Sequence, residues 1–160
     1  MSERTVINIS PRRTTLSVTA PVVRIAFTQK QGPQGPPGRD GAGALTLTAG
    51  VALSGERVVT TDASGLVVYA DSATLAHAGR IAGVTKAAAA QGDAVDVQQN
   101  GTMTYSGWAW TPGSLLYLGA NGAITDAEPT LPSALFSQII GFAATATKII
   151  ISIQEPIILN

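Results

Sequence analysis

The sequence predicts an all-β homotrimer in three parts. Short strands occupy residues 1–31, a collagen-like triple-helical stem residues 32–43, and a C-terminal β-sandwich or barrel residues 44–160. Three observations lead there. First, Gly32, Gly35, Gly38 and Gly41 recur at every third position, with Pro33, Pro36 and Pro37 in the places between. Second, after Gly43 the chain reads as apolar and β-branched runs of about five residues, with turn residues every 8–12 positions, the pattern of a sandwich or barrel. Third, only 12% of the residues are charged, against about 25% in ordinary soluble domains. Such a surface suits a β-rich protein covered by copies of itself or by partners.

The N-terminal strands come first. Residues 5–9, Thr-Val-Ile-Asn-Ile, are β-branched and read as a strand. Ser10-Pro11-Arg12-Arg13 reads as a turn, and residues 14–18 and 22–27 as two more short strands around Ala20-Pro21. So few residues bury no core alone, which implies pairing with other chains or with a host protein. Residues 1–40 carry six basic groups and two acidic ones, whereas residues 41–160 carry four basic and eight acidic. The basic end, with Arg12, Arg13 and Arg24 as its candidate anchor residues, suits docking on an acidic surface. Spaced charges that merely solubilise short strands are the plainer reading.

The stem follows. Three polyproline-II-like chains wind around one axis, and only glycine fits at that axis, so the repeat has a use only in three copies. At about 3.1 Å per residue the twelve residues give a rod roughly 35 Å long. A flexible single-chain linker is the alternative reading of Gly/Pro-rich sequence. Four triplets do not hold three chains alone, so the flanking parts must supply contacts.

In the C-terminal part, strands are expected at residues 45–49, 57–61, 66–70, 80–85, 94–98, 102–105, 115–118, 123–125, 148–153 and 156–159, with residues 134–142 leading into another. Asn100-Gly101 is the strongest hairpin signal, and Asn121-Gly122 marks a second hairpin. Residues 73–79 read as one helical turn or a loop. The alanine run 87–90 is the best helix candidate.

Cysteine is absent, which excludes disulfides and thiolate metal sites. The first residues lack the apolar core of a secretory signal. No apolar run approaches the ~18 residues of a membrane span, so we expect a chain made in a cytoplasm with no membrane span. The inventory for catalysis is thin, and no enzyme, cofactor or metal site is expected. His77 is the single histidine, and with Asp71 or Asp93 it makes a weak triad candidate. Asp93 and Asp96 are three apart on a strand and point to opposite faces. The basic end lacks interleaved aromatics and the body is acidic, which argues against nucleic acid.

Tyr105, Trp108, Trp110 and Tyr117 lie within thirteen residues. Aromatic clusters stack on sugars, so Tyr105, Trp108 and Trp110 are candidate glycan contacts. Packing in the core or on a trimer axis is the favoured reading, because no polar partners for sugar hydroxyls accompany the tryptophans in sequence.

The segment from Gly79 to Leu159 resembles a β-domain of small bacteriophage virion proteins. The likeness is carried by Ile81-Ala82-Gly83-Val84-Thr85, Gly92-Asp93-Ala94-Val95, Asn100-Gly101, Trp110-Thr111-Pro112-Gly113, Leu116-Tyr117-Leu118-Gly119, Asn121-Gly122-Ala123-Ile124-Thr125, Pro129 and Ile140-Gly141-Phe142-Ala143. It spans about half of the chain. In such proteins a short N-terminal anchor and a Gly-X-Y segment commonly precede this domain. The resemblance implies a structural virion protein made in the host bacterial cytoplasm: a homotrimeric fibre of the tail or baseplate, attached through its N-terminus to another virion protein. A head fibre or capsid decoration protein is the alternative, and a module binding a host surface glycan the further one.

Overall fold

The computed structural model describes residues 9–10, 13–14 and 43–160. The chain divides into two units, Met1–Pro37 and Gly38–Asn160. In the first, β1 (Ile9–Ser10) pairs antiparallel with β2 (Arg13–Thr14), with Ile9 opposite Thr14. Ser10 lies opposite Arg13, and residues 11–12 of the expected turn lie outside the described residues. Arg12 and Arg24 lie outside the described residues, as does the side chain of Arg13, and so do the stem glycines Gly32, Gly35, Gly38 and Gly41.

The second unit is all-β, with antiparallel sheets. Its first sheet contains β3 (Ala44–Thr48), β4 (Val58–Thr61), β5 (Val67–Tyr69), β6 (Ile81–Thr85) and β7 (Ala94–Gln98), in the order β3-β7-β6-β4-β5. Just beyond β3, Ala49 forms a parallel bridge to Val67 of β5, so the two edges of the sheet meet and the five strands curl toward a barrel. Closure of this kind removes edges that would otherwise be open to pairing. The interior holds Ala49, Leu53, Val59, Val67, Val95 and Val97.

The second sheet contains β8 (Asn100–Thr104), β9 (Leu115–Leu118), β10 (Ile124–Thr125), β12 (Ile139–Thr145) and β13 (Lys148–Ser152), in the order β10-β9-β12-β13-β8. β11 (Phe136–Ser137), which precedes β12, pairs with β14 (Ile157–Ile158), which follows β13, as a small separate ribbon. The inner face of the second sheet carries Met103, Leu116, Leu118, Ile140, Ile149 and Ile151, which pack with Phe136 and with Val58 and Val84 of the first sheet. Fully burying a Val, Leu, Ile or Phe side chain stabilises by about 1.5–3 kcal/mol.

Val58 and Val59 explain why β4 shows no polar alternation. Neighbours on a strand point to opposite faces. Val58 enters the core between the sheets and Val59 the interior of the first sheet, both fully buried. A strand covered on both sides reads as a continuous apolar run.

Two expectations are corrected. Asn100-Gly101 does not turn a hairpin. β7 ends at Gln98 within the first sheet, and β8 begins at Asn100 in the second, where it pairs with β13 through Gly101 opposite Ile151. The chain changes sheets across one residue, and Gly101 supplies the left-handed backbone (φ +89°) of that bend. The Gln98 side-chain amide secures it by donating to the carbonyls of Asn100 (3.1 Å) and Thr102 (2.9 Å). The alanine run is not helical either: Ala89 bridges Leu53, exchanging hydrogen bonds of 2.8 and 3.0 Å. Among the described residues the helical segments are two 3-10 turns, Leu75–His77 and Ala120–Gly122. The first falls in the segment read as one helical turn or loop.

The outer face of the second sheet carries one apolar row among polar neighbours, with Thr104, Lys148 and Ser152 exposed beside it. Leu115 lies opposite Phe142, Phe142 opposite Ile150, and Ile150 opposite Thr102, which sets one cross-strand row over four strands. Leu115 is 47% exposed and Phe142 39%.

Candidate functional site

The aromatic segment 105–110 is an irregular arm beside β8. Its backbone is pinned to the turn between β12 and β13: Tyr105 N–H donates to the Thr147 carbonyl (2.9 Å) and Trp110 N–H to that of Ala146 (2.9 Å). Trp108 and Trp110 are not on a strand, yet both are half-buried against the core between the sheets while Ala109 is exposed. The shared face expected from their spacing is therefore kept by the arm. Tyr105 meets Trp108 edge-on, ring centroids 5.6 Å apart at 80°, and Trp108 lies 6.2 Å from Trp110 at 46°. Tyr117 stands apart, on β9 opposite Ile139.

The three aromatics line a cleft of about 350 Å³. Its lining also includes Ser54, Gly55, Glu56 and Arg57 of the loop 54–57, together with Ala123 and Ile124. Polar groups thus do accompany the tryptophans, brought from about fifty residues away in sequence. The two tryptophans thus pack against the core and also line a cleft that has polar residues in its lining.

Thr85 shapes the loop. Its fully buried hydroxyl donates to the Ser54 carbonyl (2.8 Å) and accepts from Arg57 N–H (3.0 Å). The Glu56 N–H donates to the Thr85 carbonyl (2.9 Å), and Ser54 N–H to the Tyr69 hydroxyl (2.7 Å). These bonds tie the loop backbone to Tyr69 and Thr85, and Glu56 and Arg57 are among the residues that line the cleft. Glu56 sits at φ +57°, a left-handed conformation that a residue with a Cβ adopts at a cost of about 1–3 kcal/mol. Trp110 Nε1 is buried with no hydrogen-bond partner among the described residues.

The part of the lining at Ala123 and Ile124 depends on Gly122. At φ +71°, a Cβ there would meet the Val58 carbonyl oxygen at 2.5 Å. Glycine lets the turn after β9 sit against β4. The Asp71 carboxylate holds the same turn, accepting from Asn121 N–H (3.0 Å) and from Ala73 N–H (2.8 Å).

His77 does meet Asp71, but its Nδ1 accepts from the Asp71 backbone N–H (3.1 Å), while the carboxylate is committed to the turn. That arrangement fixes a loop and supplies no base–orienter pair. Asp96 Oδ1 accepts from the Thr46 hydroxyl (2.6 Å) across the β3–β7 ladder. Among the described residues no three His, Cys, Asp or Glu side chains gather as metal ligands, and no helix is long and apolar enough to cross a membrane. Comparison with known proteins finds no protein-family model that matches the chain and no curated protein similar to it.

Proposed function

We propose that this chain is a structural protein of a bacteriophage virion, a homotrimeric fibre of the tail or baseplate. Residues 1–31 join it to another virion protein, and the stem 32–43 spaces the β-domain 44–160 from that attachment. The observation that carries the reading is the strict glycine period at Gly32, Gly35, Gly38 and Gly41, which is useful only to three chains wound together. The row of exposed Leu115 and Phe142 with half-buried Ile150 supports it. It offers neighbouring apolar side chains for a partner to cover, and copies of the same chain are the partners that the stem brings. The basic surplus of residues 1–40 suits docking on an acidic particle surface.

The test is gold labelling of purified virions with antibody to the β-domain, for the full chain and for a chain lacking residues 1–31. Label on the tail or baseplate, lost on truncation, supports the reading. Label on the head moves the same protein to the capsid surface and overturns the tail assignment. Label retained by the truncated chain overturns the anchor, and no label on any virion overturns the structural role.

A further inference from the structure

We infer that the cleft between the aromatic arm and loop 54–57 is a carbohydrate-binding site, selective for the terminal rings of a neutral pyranoside glycan. The inference goes beyond the fibre reading and does not rest on it, since every lining residue belongs to one chain.

Four features of the cleft lead to this ligand. Its lining includes three aromatics, Tyr105, Trp108 and Trp110, inclined at 80° and 46° to their neighbours, and the negative π-face of such a ring takes the weakly positive, apolar C–H face of a pyranose. The loop 54–57 supplies hydroxyl chemistry. The Glu56 carboxylate accepts from sugar O–H groups and the Arg57 guanidinium donates to sugar oxygens. One acid and one base in the same loop balance in charge, which favours a neutral ring over a sialic or uronic acid. The third feature is the Trp110 indole N–H, buried without an acceptor among the described residues. Leaving such a donor unmet costs about 1–3 kcal/mol. Trp110 is itself one of the lining residues, and we assign an acceptor on the occupant as the partner of this donor. The fourth is the left-handed backbone of Glu56. Strain of that kind concentrates where a side chain must be aimed, and glycine would remove it at the expense of the carboxylate. The volume of about 350 Å³ lies near the lower end of ligand pockets, which limits the occupant to the end of a glycan rather than a long stretch of one.

The chain contains two tryptophans, and both line this cleft, so tryptophan emission reports on its occupancy. The experiment titrates the full-length protein with maltotriose, cellotriose, N-acetylchitotriose and, as the acidic arm, trigalacturonate, following tryptophan emission. Saturable quenching or a blue shift with a neutral trisaccharide is expected. A response to N-acetylchitotriose points to a cell-wall type of glycan, and a response to the hexose trimers to an outer polysaccharide. Glu56→Gln and Trp108→Ala should each weaken binding at least tenfold. Glu56→Gly should do the same while melting at or above the wild-type temperature, a combination that a purely structural role does not give. Trp110→Phe keeps the ring and removes the donor, and should weaken binding without unfolding the core. No saturable response to any neutral probe, a preference for trigalacturonate, or full affinity in Glu56→Gln and Glu56→Gly would each overturn the proposal.

Discussion

Thr85 shows how much one hydroxyl settles at the residue scale. It ends β6, is fully buried, and serves the carbonyl of Ser54 and the N–H of Arg57 together. Valine has nearly the same shape and neither function. Thr85→Val leaves both backbone groups without their partner, at a cost of about 1–3 kcal/mol. In a domain of this size a loss of 1 kcal/mol lowers the melting temperature by about 2–4 °C. The expected result is a clear drop in thermal or urea denaturation together with weaker saccharide binding, because the loop that carries Glu56 and Arg57 loses its fastening. Unchanged stability in Thr85→Val would show that these bonds are made equally well by water.

At the scale of elements, the strands were legible and their partners were not. Runs such as Ile81–Thr85 and Lys148–Ser152 are β-branched, apolar and bounded by turn residues, so their positions follow from local preference. The hairpin at Asn121-Gly122 also appears as expected, with Ile124 opposite Leu118. Asn100-Gly101 carries the same dipeptide signal, but there β7 and β8 belong to different sheets. The left-handed glycine that closes a tight turn also bends a strand out of one sheet into another, and only the pairing of β8 with β13, far along the chain, decides between them. The cleft was half legible for the same reason. Trp108 and Trp110 stand out in the sequence, whereas Glu56 and Arg57 reach them only through the packing of β4 beneath the turn at Gly122. The outer row of the second sheet makes its own prediction. Phe142→Asp places a charge on an exposed position and leaves the inner face intact. Folded protein of native circular dichroism and reduced oligomeric mass is expected, and an unchanged mass would remove this row from the interface.

For the molecule as a whole, the parts are consistent with one another under threefold association. The glycine period suits three chains wound together, the β-domain carries a row with Leu115 and Phe142 exposed, and the low charge content leaves little to keep copies apart. Light scattering of the intact, purified protein tests this most directly. A mass of about three times 16.3 kDa, stable on dilution, is the expected result. A mass equal to a single chain at micromolar concentration would contradict it.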